Sequence, residues 1–294
     1  MNRAEFFKAL GLGVVSWDGA LQRLGALLPP SDPLPALFFG HGSPMNAIEE
    51  NAFVAGWREL AGRLEVTPRA VLCISAHWET VGTRVTAVAQ PRTIHDFGGF
   101  PKALYEVEYP APGHPGLAEH IAAGLPGQVT VDREWGLDHG TWSVLRHVFP
   151  KADVPVLQLS LDRRMDAAAH FALGQTLADL RTRGVLLVGS GNLVHNLGQV
   201  AWNHLNDLGY AHHWAATARE LLNGWILDGN HADLIAAPTR SDHALRLAIP
   251  TAEHYLPLLY VLGTQRPGES LELFNDHAVA GAITMTSVAL GLRA

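Results

Sequence analysis

The sequence predicts an α/β fold, a single domain with a mostly parallel central sheet flanked by helices. Three observations carry that expectation. Short apolar runs recur along the chain: "PALFFG" (35–40), "AVLCISA" (70–76), "VPVLQLSL" (154–161) and "GVLLVGSG" (184–191). They are continuous rather than alternating, as strands covered on both faces are. Segments with apolar residues at helical spacing lie between them, and strand–helix alternation favours a parallel sheet.

In chain order, residues 1–34 form an extension, and 35–294 form the domain. "MNRAEFFKALGLGVVSWDGAL" has Arg3 followed by Phe-Phe-Lys, but Ala4 stands where a twin-arginine signal needs its second arginine. Trp17 and Asp18 interrupt the apolar stretch, and no small-residue cleavage site follows. The extension reads as a short helix with the outline of a decayed export signal. After the strand at 35–40, "NAFVAGWRELAGRL" (51–64) predicts a helix, and 70–76 is the next strand. "HPGLAEHIAAGL" (114–125) is helical. The strand at 154–161 leads into "DAAAHFALGQTLADLRTRG" (166–184), whose basic end and final glycine are a helix stop. After the strand at 184–191, helices are expected at 211–227 and 254–263. Pro257 is tolerated in the first turn of the latter.

Composition narrows the function. The 294 residues are 48% apolar and 17% charged, enough for a large core. A net charge of −7 without a lysine- or arginine-rich block argues against a nucleic-acid partner or an anionic membrane surface. No apolar run is long enough to span a bilayer, and the expected location is cytoplasmic. The single cysteine, Cys73, rules out an internal disulfide and reads as a buried small hydrophobe. Sixteen histidines point to metal or acid–base chemistry.

The histidines are not scattered evenly. His41 follows the first strand in "GHGSP", His77 the second in "SAHWE", and His195 another in "GSGNLVHN". In a parallel sheet all three project from the carboxyl edge of the strands, where an open α/β sheet places its site. "GLDHGTW" adds Asp138 and His139, and "PTAEHYLP" adds Glu253 and His254. Glu253 reads first as a cap of the following helix. His120, His170, His204, His212, His213 and His231 read as solvated or partly packed, and His243 has no chemical context. His95, in "TIHDFGGFP", lies in an aromatic loop suited to lining a pocket. A site of imidazoles without cysteine suits Zn(II) or Fe(II) better than Mg(II) or Ca(II). It leaves hydrolysis at zinc and oxygen chemistry at iron both open.

Six motifs in order, "PALFFGHGSPMNA", "SAHWET", "TIHDFGGFPKALYEVEYPAPG", "GLDHGTWSVL", "GSGNLVHNL" and "PTAEHYLPLLYVLG", resemble the class III extradiol ring-cleavage dioxygenases. Within that LigB-like superfamily the resemblance is to the 4,5-DOPA extradiol dioxygenase type, and it runs from about Pro35 to the C-terminus. It implies one divalent metal per chain, with Fe(II) expected for turnover and Zn(II) able to occupy the site. It also implies a small-molecule catechol and O₂ as substrates, and a ring-opened muconic semialdehyde as product. His41 and His77 become metal ligands, His254 the last ligand with Glu253 as second choice, and His195 either a further ligand or an acid–base group. His139 is an active-site proton donor or acceptor. His95 and Tyr105, or Tyr109, would wall the aromatic ring. Two other readings are a zinc hydrolase with Asp138 as base and a non-catalytic binding protein on the same scaffold.

Overall fold

The computed structural model describes residues 28–205 and 207–292. The predicted N-terminal helix and export signal fall on residues 1–27, outside the described residues. Residues 28–34 have no helix and bury Leu28 and Leu34.

β1 (Ala36–Gly40) leads through a 3₁₀ turn to α1 (Ala52–Gly62), β2 (Ala70–Thr80) and β3 (Thr83–Thr86). Then come α2 (Lys102–Tyr105), α3 (Pro115–Gly124), β4 (Val129–Asp132) and α4 (His139–Val148). The chain continues with β5 (Val156–Asp162), α5 (Ala167–Leu177), β6 (Val185–Gly191), α6 (His213–Leu227), α7 (His231–Ala236) and α8 (His243–Ala248). It ends with α9 (Leu256–Gly263), β7 (Leu271–Phe274), the paired β8 (Ala278–Val279) and β9 (Ile283–Thr284), and β10 (Ser287–Leu290).

The main sheet has the order β4-β3-β5-β2-β6-β1-β10-β7. Its centre, β5-β2-β6-β1, is parallel throughout and consists of the four strands that the apolar runs predict. β10 and β3 run antiparallel to their central neighbours. Alternate residues of one strand go to opposite faces, as the two-residue period requires. Leu37, Phe39, Val71 and Cys73 pack with Trp57 of α1 and Trp142 of α4. Phe38, Leu72 and Ile74 pack on the other side with Phe171 of α5 and Leu258 and Leu259 of α9. Both faces are therefore dry, which explains the lack of alternation. Cys73 is fully buried, accepts a hydrogen bond from Thr141 Oγ1 at 3.3 Å, and has its thiol pushed well up by burial.

Several boundaries differ from expectation for local reasons. α1 starts where Asn51 Oδ1 accepts the amides of Phe53 and Val54. The helix expected over 166–184 ends at Leu177, tightens into a 3₁₀ segment (Ala178–Arg183), and stops at Gly184 with φ +76°. β2 runs on to Thr80 instead of ending at 76, with a register shift between Ile74 and Glu79. α9 starts at Leu256, so residues 251–255 form turns ahead of it. Tyr255 is the residue at its cap, and Glu253 does not cap the helix. Among the described residues no helix is long and apolar enough to cross a membrane.

Candidate metal centre

The motif after β1 is built to present one side chain. Gly42 has φ +58°, a left-handed conformation that L side chains rarely adopt. Ser43 then caps the 3₁₀ turn by accepting the Met45 amide, and Pro44 opens that turn. Asn46 Nδ2 donates to the His41 carbonyl at 2.9 Å. These constraints leave the His41 imidazole buried at the carboxyl edge of β1.

His77 arrives from inside the irregular stretch of β2, where a register shift re-aims side chains. His139 is the first residue of α4, and His254 lies in the turns before α9. The Gly191–His254 and Gly140–His77 approaches are so close that a Cβ at either glycine would collide with its neighbour. The structure thus gathers His41, His77 and His254 into one set, with a ligand nitrogen of each within 4.8 Å of the others.

Hydrogen bonding fixes which nitrogens face that centre. Ser190 Oγ donates to the Gly140 carbonyl at 2.5 Å, so it can only accept from His41 Nδ1, 2.9 Å away. The His41 proton is then on Nδ1, and Nε2 presents a lone pair. His254 Nδ1 donates to Glu253 Oε1 at 3.0 Å, which likewise leaves its Nε2 bare. The Nε2 atoms of His41 and His77 are 3.2 Å apart. Two nitrogens bound at about 2.1 Å to one ion are roughly 3.0–3.4 Å apart for angles between right and tetrahedral. Burial, and then the neighbouring imidazoles, hold His41 and His77 well below the usual histidine range, the state in which an imidazole can ligate.

Glu253, offered above as a possible ligand, sits behind His254 and also accepts from Thr251 Oγ1 at 2.9 Å. Burial alone would raise its carboxyl. The hydrogen bonds from His254, the backbone and Thr251 outweigh that and bring it to about 2. His195 lies outside the three-histidine set and forms its own group with Glu253 and His254. Its ring stacks on His254, with centroids 3.5 Å apart and planes 8° from parallel. Burial, reinforced by His254, lowers it to about 3.

His139 is buried, its ring 3.8 Å from that of His77, and its Nδ1 faces Asp96 Oδ2 at 3.0 Å. Asp96 escaped the sequence reading, although it adjoins His95. Burial would raise its carboxyl, but hydrogen bonds and charge from His139 hold it below the usual range. His95 itself turns aside and donates from Nε2 to the Val107 carbonyl at 3.0 Å. It stands in an aromatic group with Phe97, Tyr105 and Trp142, and Phe97 reaches the His139 ring at 5.5 Å. Tyr105 is 38% exposed, whereas Tyr109 is buried with its hydroxyl on the Phe149 carbonyl. Asp138, the base of the hydrolase reading, is fully buried and engaged by Ser75 Oγ, Gln158 Nε2 and the Thr141 amide. Both its oxygens are engaged and sealed from solvent. Nothing in a strand sequence marks Ser190 as the partner of the distant His41 imidazole, or Ser75 and Gln158 as partners of the distant Asp138 carboxylate.

Comparison with known proteins gives the family. Residues 35–289 match the family model described as the catalytic LigB subunit of aromatic ring-opening dioxygenase. The chain is 45% identical over 268 residues to the 4,5-DOPA dioxygenase extradiol of Escherichia coli K12, covering 90% of this chain and 97% of that one. It is 37% identical over 258 residues to the 4,5-DOPA dioxygenase extradiol of Beta vulgaris, covering 85% and 94%. A crystal structure of an uncharacterized protein from Escherichia coli K12 superposes with a TM-score of 0.74 at 40% identity, covering 88% of this chain and all of the other. The chain therefore belongs to the LigB family of aromatic ring-opening dioxygenases.

Proposed function

We propose that this extradiol dioxygenase opens a catechol ring, that of L-DOPA or a related catechol, beside its two hydroxyls with O₂ to give a muconic semialdehyde. The observation that carries the site assignment is the convergence of His41, His77 and His254, with the Nε2 atoms of His41 and His254 bare and those of His41 and His77 3.2 Å apart. The choice of catechol follows the relatives, which are named for DOPA. In this reading those three histidines hold one divalent ion, and the all-nitrogen set fits Fe(II) or Zn(II). Bound there, Fe(II) supplies the redox path between ring and dioxygen that Zn(II) lacks.

The chain's own groups do the rest. His139 lies against His77 and His195 against His254, each in ring contact with a proposed ligand. One removes a catechol proton and the other returns a proton to the opened product, a task suited to imidazole. His195 groups with His254 and Glu253 rather than with His41 and His77, which supports the acid–base role over ligation. Phe97, Tyr105 and the ring face of His95 supply an apolar wall for the substrate ring.

The test is oxygen uptake together with visible absorbance of the product. Protein stripped of metal is reloaded anaerobically with Fe(II) or Zn(II) and given L-DOPA and simple catechols. Uptake and a coloured product are expected with Fe(II) alone. His41→Ala should lose the metal. His139→Gln and His195→Gln should keep it and lose roughly 10²- to 10⁴-fold in rate; a His195→Gln protein that loses metal would make His195 a ligand. No uptake with any catechol at one Fe(II) per chain would sink the reading.

A further inference from the structure

The carboxylate of Asp96 accepts a hydrogen bond from one residue and stands beside two imidazoles. Its Oδ1 accepts the His139 backbone amide at 2.9 Å, and its Oδ2 faces His139 Nδ1 at 3.0 Å. The same Oδ2 lies 3.6 Å from His77 Nδ1. We infer that Asp96 is a positioning residue that locks the His139 imidazole with Nδ1–H toward the carboxylate and Nε2 toward the substrate, and steadies His77 from behind. The inference rests on the ring-opening reading above.

Asp96 is itself held independently of the histidines. The Trp142 indole donates to the Ile94 carbonyl at 2.8 Å, the Ile94 amide to the Leu137 carbonyl at 2.7 Å, and the Leu137 amide to the Arg92 carbonyl at 2.9 Å. These bonds pin the loop before Asp96 to the chain just ahead of α4. Backbone geometry, rather than attraction to an imidazole, therefore places the carboxylate, which is what a preorganised support requires. Its side chain is 19% exposed, although the residue as a whole lies at the surface. Asp138 cannot substitute, because Ser75, Gln158 and the α4 amide already occupy it.

A carboxylate accepts and does not donate, so the imidazole nitrogen that faces it bears the proton. That choice leaves Nε2 of His139 as the nitrogen that meets substrate. Without Asp96 the ring can flip or exchange its tautomer, and the productive orientation becomes one of several. Such a loss falls on the rate constant more than on substrate binding, because the group that touches substrate is still present.

The experiment compares wild type, Asp96→Asn and Asp96→Ala at saturating metal. Oxygen-uptake kinetics are read on the Fe(II)-loaded protein. Long-range ¹H–¹⁵N spectra of the histidine side chains, read on the Zn(II)-loaded protein, report which nitrogen of His139 is protonated. We expect kcat to fall roughly 10- to 100-fold in both variants, with KM within about threefold and loss of the uniform Nδ1–H form of His139. A wild-type kcat, or a His139 that stays protonated at Nδ1 in both variants, overturns the inference. If the alanine variant does not fold, the near-isosteric asparagine variant decides. If wild type opens no catechol, the ring-opening reading has failed by itself, and the Zn(II) spectra still decide the role of Asp96.

Discussion

His254 owes its orientation to the residue before it. The chain turns at 251–255, so adjacent side chains fold back on each other, and Glu253 Oε1 accepts hydrogen bonds from His254 Nδ1–H and Thr251 Oγ1. A carboxylate behind a ligating histidine fixes the ring and raises its basicity, and losing such a partner typically costs roughly 10- to 100-fold in metal affinity. Glu253→Ala should therefore weaken metal binding by that factor while leaving the fold intact, since residue 253 belongs to a turn and not to the core. Competition against a chromophoric chelator measures it. Unchanged affinity would mean that the turn alone orients His254. The same logic separates the two adjacent acids and histidines of the sequence. At 253–254 the acid supports and the histidine faces the centre, while at 95–96 the acid turns toward His139 and the histidine turns away.

At the scale of elements, α4 joins the site to the core. Its first residue is His139, and Asp138 caps it by accepting the Thr141 amide while taking hydrogen bonds from Ser75 of β2 and Gln158 of β5. One buried carboxylate thus fastens a helix start to two parallel strands. Burial, and then the charge of Asp96, push its carboxyl up. Asp138→Ala removes the cap and strands two buried polar side chains, and the loss should be about 2–4 kcal/mol of folding stability. Asp138→Asn keeps an acceptor for the cap and should lose less. Urea unfolding of both variants checks the ranking, and equal midpoints with wild type would refute the fastening role. The sequence displayed "GLDHG" clearly enough to flag Asp138. What it could not display is that this acid fastens α4 while Asp96 faces His139 and His77, because the loop path that decides it depends on contacts from Arg92, Ile94 and Trp142.

For the whole molecule, legibility followed burial. The four central strands were readable because both faces are dry, so most of their positions are apolar. β3 and β4 have four residues each, and β7 is half-buried at the sheet edge; their strand character comes from pairing with distant partners. The histidines at strand ends were readable for a topological reason, since a parallel sheet brings its carboxyl ends together. His170 shows the opposite case. It looked like an ordinary helical histidine, yet it is fully buried between α5 and α9, with Nδ1 on the Tyr260 hydroxyl at 2.9 Å. Burial lowers it from 6.5 to about 4, so the folded protein refuses a proton that the unfolded chain accepts. Its contribution is therefore intact above pH 6.5 and is lost progressively as pH falls toward 4. The full loss is about 3 kcal/mol, at 1.36 kcal/mol per pKa unit. Relative to wild type, a His170→Gln protein should show a constant stability difference above pH 6.5, and that difference should shift by about 3 kcal/mol in favour of the variant by pH 4. Urea titrations at a series of pH values measure it. A difference that stays flat across that window would mean that His170 is protonated in the folded state and that the α5–α9 interface is wetter than its packing indicates.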